Sequence, residues 1–425
     1  MSNKDRVALV PKLRFPEFRG TGEWRCGSLA STLSAISNGL AIDQGSDATG
    51  YKVTRIETIS SGDIDLGKIG FVKPSHDISA YKLQVGDILF SNINSVSHVG
   101  KSVIVERDYD LYHGMNLLRL CVDRKKHAPL FIYYAINTDR VRASFRERAN
   151  KAVNQASINQ TELGKTEVAL PLFTEQQKIA DCLSSLDELI VAQARKVDAL
   201  KAHKKGLMQQ LFPREGETQP RLRFPEFQNA EEWQRTSLGG VARLRNGYAF
   251  KSAEYVDDGP HQIITIANVQ QGGLSIESTR RMAALPPDIQ QHQVLSLGDI
   301  LISMTGNVGR VCRVTVEGLL LNQRVGKLTP EKIDADFFYQ LLQRDEFRNT
   351  MQLKAAGGAQ GNLSSGDITD YVFSAPAETD EQLRIATCLS SLDALVTAAT
   401  QELEALKIHK KGLMQQLFPS AEDVA

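Results

Sequence analysis

One string, HKKGLMQQLFP, occurs twice in this chain, at His203 to Pro213 and again 206 positions later at His409 to Pro419. CLSSLD at Cys182 to Asp187 returns at Cys388 to Asp393 with the same offset. LRFPEF at Leu13 to Phe18 recurs at Leu222 to Phe227, followed each time by a Glu-Trp pair, Glu23-Trp24 and Glu232-Trp233. A self-similar period of this length makes the chain two tandem half-chains, each a globular segment followed by a repeated helix. The helices are nearly identical and the globular segments have diverged. That contrast implies one shared mechanical task and two different recognition tasks.

Both repeated helices carry a seam. In the first copy Ile179, Leu183, Leu186, Ile190, Gln193, Val197, Leu200, Lys204, Leu207 and Leu211 alternate at spacings of four and three. Ile385, Leu389, Leu392, Val396, Ala399, Leu403, Leu406, Lys410, Leu413 and Leu417 repeat that alternation in the second. A sustained 3.5-residue average is the pattern of a coiled coil. At ~1.5 Å per residue each seam runs about 48 Å, longer than an ordinary packing helix needs. Thr174 with Gln177, after Pro171, and Thr379 with Gln382, after Pro376, have capping-box spacing. Phe212-Pro213 and Phe418-Pro419 stop the helices. Antiparallel pairing within the chain would give approximate two-fold symmetry; parallel pairing and pairing with another chain fit the same pattern.

Charge and chemistry narrow the function. The 425 residues carry 50 Lys and Arg against 50 Asp and Glu. Residues 1–170 hold 23 basic and 18 acidic side chains, residues 214–375 hold 17 and 19, so neither half is strongly basic. Cys26, Cys121, Cys182, Cys312 and Cys388 form no metal-ligand spacing and are expected as reduced thiols of a cytoplasmic protein. No apolar run approaches the ~20 residues of a membrane span, and the N-terminal residues lack an export signal. Gly100-Lys101-Ser102 has Ser95 where a P-loop needs its leading glycine. G-x-S-x-G and H-E-x-x-H are absent as well, so the chain is expected to bind rather than catalyse, with no metal and no cofactor of its own.

The globular halves are strand-rich with a late helix. Strands are expected at 51–56, 85–90 and 101–105, and at 262–266, 297–302 and 309–314, with Gly86-Asp87 turning into a buried strand. Helices are expected at 129–147, packed through Phe131, Tyr134, Ala135 and Val141, and at 336–353, packed through Phe337, Phe338, Leu341 and Leu342. After each Gly-Asp-Ile-Leu strand comes a polar loop. Asn92, Asn94, His98 and Lys101 lie on or beside the first, and Asn307 and Arg310 on the second. Lys151 and Gln155 follow the first late helix; Arg243, Arg245, Asn246 and Lys251 lie in RLRNGYAFKS; Gln323 and Arg324 follow Asn322. Such side chains contact phosphates and base edges, and ordinary solvated turns use them too. A coiled-coil scaffold with adhesive domains, an orphan DNA-binding subunit and a free-standing enzyme are the competing classes.

The PKLRFPEF opening, the GDIL strand and the helices EQQKIADCLSSLDELI and EQLRIATCLSSLDALV together resemble the specificity subunit of type I restriction-modification enzymes, over residues 11–419. The resemblance implies an α+β chain. Target-recognition domains at 1–170 and 214–375 would be separated by conserved helical regions at 171–213 and 376–419, with a tail at 420–425. It further implies an intramolecular antiparallel coiled coil, pseudo-two-fold symmetry, and recognition of double-stranded DNA at a bipartite, asymmetric target with a fixed spacer. Two copies of a modification subunit would bring S-adenosylmethionine and methylate adenine. Restriction subunits would bring ATP and Mg-dependent translocation and cleavage.

Overall fold

The computed structural model describes residues 9–45, 48–94, 99–152, 155–214, 216–357 and 361–419. Residues Met1–Ala194 with Gln401–Ala425 form one compact unit, and Arg195–Thr400 form the other. Each unit therefore takes part of both long helices.

Unit 1 is built on an antiparallel sheet of β1 (Leu33–Asn38), β2 (Ile88–Phe90), β3 (Ser102–Ile104) and β4 (Leu118–Val122), in the order β1-β4-β2-β3. The helices α1 (Pro129–Ile136) and α2 (Asp139–Arg148) pack on it. Strand β2 is buried along its whole length, so it shows a continuous apolar run rather than alternation. Its entry explains the Gly-Asp pair. Gly86 has φ +88°, a conformation a side chain resists. Asp87 accepts a hydrogen bond from the Gln84 amide at 2.6 Å and pairs with Arg119 of β4 at 2.7 Å. Unit 2 repeats this with β5 (Ala242–Asn246), β6 (Ile300–Ser303), β7 (Val311–Arg313) and β8 (Val325–Pro330), in the equivalent order β5-β8-β6-β7. Gly298 has φ +84°, and Asp299 pairs with Lys327 of β8 at 2.6 Å. Unit 2 also carries a second four-stranded sheet, Tyr255–Val256, Arg280–Met282, His261–Ile264 and Leu320–Leu321, where unit 1 has a two-stranded one, Tyr51–Val53 with Gly70–Val72.

The single late helix expected in each half is two. In unit 1 the chain breaks between α1 and α2 because Thr138 is extended, at φ −67° and ψ 149°. In unit 2, α4 (Ala335–Leu342) and α5 (Asp345–Gly357) are likewise separate. Phe131, Tyr134, Ala135 and Val141, and Phe337, Phe338, Leu341 and Leu342, are all buried. Strands β1 and β4, β5 and β8 escaped the sequence reading because charged and small residues interrupt their apolar pattern.

The long helices are α3 (Phe173–Leu211) and α6 (Thr379–Leu417), each 39 residues. Thr174 lies inside the first turn of α3 rather than capping it. The polar contacts at the helix entries come from Gln176 and Gln382, whose amides donate to Pro171 O at 3.0 Å and Pro376 O at 2.8 Å. Within unit 1, Gln193 bonds Glu402 at 2.8 Å, Asp187 bonds Lys410 at 2.7 Å, and Ile179 and Leu183 share a core with Leu417. Contacts descend α3 as they ascend α6. Within unit 2, Lys204 pairs with Asp393 at 2.6 Å, and Leu211 shares a core with Ile385 and Leu389. Along α3, Ile179, Leu183, Leu186, Val197 and Leu211 are buried and Ile190, Leu200 and Leu207 partly so; on α6, Ile385, Leu389, Leu403 and Leu417 are buried and Leu392, Val396, Leu406 and Leu413 partly so. One further point corrects the composition reading: α6 is, by length and composition, apolar enough to cross a membrane. Much of that apolar surface is alanine and seam leucine, and Ile385, Ala386 and Leu389 belong to the unit 2 core.

A duplicated clamp accounts for the LRFPEF and Glu-Trp repeats. Glu175, in the first turn of α3, accepts from Arg14 Nε and Nη2 at 2.7 Å each and from the Trp24 indole at 3.3 Å. Glu381, in the first turn of α6, accepts from Arg223 at 2.8 and 2.7 Å and from Trp233 at 3.1 Å. The Leu13 amide donates to Gln416 O, and Leu222 to Gln210 O, both at 2.9 Å. Phe418 packs on Trp24 and Phe131, and Phe212 on Trp233 and Phe337. In each unit the segment thus ties the start of one long helix to the end of the other.

Candidate nucleic-acid interface

In unit 1 the chain leaves β2 at Ser91 and returns at Gly100, with Ser91 N bonding Lys101 O at 2.8 Å and Gly100 N bonding Ser91 O at 3.0 Å. A short strand, Ile93–Asn94, pairs antiparallel with Gln155–Ser157, which pairs with Asn150–Ala152. The Ile158 amide donates to Asn92 O at 2.9 Å. Asn92, Asn94, Lys151 and Gln155, far apart in sequence, are therefore brought onto one three-stranded patch. The side chains of Asn94, Lys151 and Gln155, and all of His98, lie outside the described residues. Lys101 is beside the patch, but its ammonium donates to Ser60 O at 3.1 Å. Asn92 Oδ1 is buried with no hydrogen-bond partner among the described residues. An orphan of that kind costs about 1–3 kcal/mol, which makes it a marker for a site that completes its bonding elsewhere.

Unit 2 gathers three loops at the equivalent edge. Met304 N bonds Arg324 O at 3.1 Å, Gln323 N bonds Tyr248 O at 2.9 Å, and His292 bonds Asn246 O at 3.2 Å. These bonds join the Asn307 loop, the Gln323–Arg324 turn and the end of β5. Asn246, Asn307, Gln323 and Arg324 are exposed there. Arg245, exposed on β5 next to Asn246, is close to this edge. The remaining candidates are less free. Arg243 pairs with Glu331 at 2.8 Å, Arg310 donates to Gln270 at 2.7 Å, and Lys251 stands 3.9 Å from Glu254 on the exposed surface.

Thr305, Gln270 and Tyr248 were missed by sequence reasoning. Thr305 Oγ1, in the loop equivalent to that of Asn92, is another of the seven buried side-chain atoms without a hydrogen-bond partner among the described residues. Tyr248 donates to Asp288 at 2.8 Å, which raises its phenol pKa by stabilising the protonated form. None of the three belongs to a pattern visible in one sequence. Among the described residues no cluster of His, Cys, Asp or Glu is arranged to hold a metal ion. The edges offer amides, hydroxyls and guanidinium groups on a scaffold of strands. That chemistry suits hydrogen bonding to a polar ligand, and it provides no nucleophile–base pair.

Residues 33–202 and 230–407 match the family model described as type I restriction modification DNA specificity domain. The chain is 30% identical over 407 residues to the putative type I restriction enzyme MjaX specificity subunit of Methanocaldococcus jannaschii, covering 93% of each. It is 27% identical over 195 residues to the EcoBI specificity subunit of Escherichia coli, covering 45% of this chain and 39% of that one. The fold matches the crystal structure of a type I restriction-modification S subunit from M. genitalium with a TM-score of 0.63, at 17% identity, over 97% of this chain and 99% of that one.

Proposed function

Because the chain belongs to the type I restriction-modification DNA specificity family, we propose that it reads a bipartite, asymmetric duplex target, one half-site with each unit. It is a specificity subunit, a DNA-recognising and non-catalytic member of a type I complex. The observation that carries the finer reading is the pairing of sameness and difference. Both units repeat one sheet order and one Arg-Glu-Trp clamp, yet differ in the polar loops that follow β2 and β6. Asn92, Asn94, Lys151 and Gln155 would read one half-site; Arg245, Asn246, Asn307, Gln323 and Arg324 the other.

In this reading α3 and α6 form one antiparallel coiled coil that gives the chain its pseudo-two-fold symmetry and fixes a spacer. Two major-groove readers on one face of B-DNA sit about one turn, ~10 base pairs, apart. Half-sites of a few pairs then leave roughly 5 to 8 unspecified ones. The duplicated helical surface offers equivalent places for two modification subunits, which bring S-adenosylmethionine and methylate adenine. Restriction subunits with ATP and Mg complete the assembly. We place it in the cytoplasm, in keeping with five unpaired thiols. The test is to exchange residues 22–160 for those of a relative and map methylation across a genome. One half-site should change and the other stay; a change in both would sink independent reading.

A further inference from the structure

Two clefts occupy equivalent places, one in each unit, and their chemistry is not the same. In unit 1 the C-terminal part of α6, with Lys407, Lys410 and Lys411, faces the α1–α2 junction at Arg140 across a cleft of about 580 Å³. In unit 2 the C-terminal part of α3, with Lys201, Lys204 and Lys205, faces the α4–α5 junction at Glu346 across about 260 Å³. These positions correspond at the 206-residue offset, and two of the substitutions matter. Arg140 stands where unit 2 has Glu346, and Ile408 stands where unit 2 has Ala202.

The unit 2 cleft neutralises itself. Lys205 pairs with Asp345 at 2.8 Å, Arg344 with Glu346 at 3.5 Å and Lys204 with Asp393 at 2.6 Å. Among the described lysines of α6 in the unit 1 cleft, Lys410 has a carboxylate partner on another helix, Asp187. Lys407 pairs with Glu404 on its own helix at 2.7 Å. Arg140 and Lys411 have no carboxylate at ion-pair distance among the described residues. Arg140, Lys407, Lys410 and Lys411 line this cleft beside one acidic side chain, Asp139, against four basic and three acidic ones in its counterpart. Its floor is apolar, with Met414, Phe418 and Pro419. Ile408, one residue along from Lys407, is 71% exposed.

We propose that the unit 1 cleft docks an acidic protein segment carrying a bulky apolar side chain, and that the unit 2 cleft does not. Uncompensated positive charge selects an acidic partner. The apolar floor and exposed Ile408 favour a protein over a phosphodiester backbone, which has no apolar group to bury there. The inference rests on the proposed function for one point, that the segment belongs to a partner subunit. The two otherwise duplicated docking surfaces are then unequal, the unit 1 side binding more tightly and more salt-sensitively.

Fluorescence anisotropy with the full chain tests this, using a short labelled peptide of Glu, Leu and Phe as probe, an all-Glu peptide and a random DNA duplex as comparisons. Arg140→Glu with Lys411→Glu should weaken the Glu/Leu/Phe peptide about tenfold. The first change copies the residue unit 2 carries at that position, and a thermal melt checks folding. Ile408→Ala should cost about threefold. Lys201→Glu with Lys205→Glu should leave binding within about twofold. Unchanged peptide binding in the Arg140/Lys411 variant overturns the proposal. So does equal loss of all-Glu peptide or duplex, which would make the cleft a general anion or DNA-backbone site. Co-purification with the modification subunit is read separately. Failure of the wild-type chain to form that complex counts against the proposed function, whereas a peptide result stands on its own.

Discussion

Glu381→Gln should loosen unit 2 by about 3 kcal/mol. The carboxylate has a side-chain exposure of 1% and accepts three hydrogen bonds, from Arg223 at 2.8 and 2.7 Å and from Trp233 at 3.1 Å. Removing one member of a buried ion pair costs about 3–5 kcal/mol, because the other charge stays buried without compensation. Arg223 keeps the carbonyls of Ala230 and Glu231, at 3.0 and 2.8 Å, which puts the cost at the low end. Urea slopes of roughly 2–3 kcal/mol/M for a domain of this size convert that into a midpoint shift of about 1 M. The assay is supplied by the chain itself. It has two tryptophans, Trp24 and Trp233, one in each clamp. A Trp24→Phe background makes emission report on the unit 2 clamp alone. Replacing both partners, with Arg223→Met and Glu381→Leu, should recover most of the loss, leaving about 1 kcal/mol for the unpaired indole N–H. A Glu381→Gln midpoint within about 0.2 M of wild type would refute the argument that the clamp holds the unit together.

Four further outcomes follow from the same geometry. Asp187→Lys should cost unit 1 roughly 1–2 kcal/mol, since Asp187 bonds both Lys410 and Tyr134 yet is a third exposed, and adding Lys410→Asp should restore more than half in a double-mutant cycle of urea midpoints. Burial lowers the His113 pKa to about 4, so between pH 6.5 and 4 the unfolded chain holds a proton that the folded one refuses. Stability of unit 1 should be complete above pH 6.5 and fall by roughly 3 kcal/mol as pH drops to 4, with His113→Gln flattening the profile followed by Trp24 emission. Asn92→Ala should leave the free protein as stable or slightly more so, while methylation mapping shows one half-site degraded; a loss at both would contradict its assignment. Inserting four residues between Lys196 and Leu200 and between Glu402 and Leu406 adds about 6 Å of helix, so surviving methylation should move to a spacer one or two base pairs longer.

What was legible in the sequence was whatever repeats or alternates. The seams, the Gly-Asp turns and the apolar faces of the late helices each follow from a local rule that one strand or helix obeys alone. The breaks at Thr138 and before Asp345 were not legible, because residues that form helices well lie on both sides. Strand β4 also hid, since Arg119 interrupts its apolar run. Only its pairing with buried Asp87 makes a charged residue acceptable there.

The site was legible in kind rather than in membership. Polar loops after the Gly-Asp-Ile-Leu strands do gather with other candidates at one edge of each unit, but Lys101 and Arg243 turn out to be committed to Ser60 and Glu331. Which lysine or arginine remains available depends on partners tens or hundreds of residues away, and no spacing rule encodes that. The same argument explains why the repeats say little about the ligand. Arg14, Trp24, Glu175 and Phe418, with Arg223, Trp233, Glu381 and Phe212, are all spent on one mechanical task, tying helix starts to helix ends. Their near-identity follows because a buried charge pair with an indole donor tolerates few substitutions. Where the two halves differ is where nothing internal demands a particular residue, so Asn92 and Thr305 can keep buried oxygens unpaired. Two of the buried polar atoms left without a partner among the described residues thus lie on the loops after β2 and β6, where a ligand from outside the chain could complete their bonding.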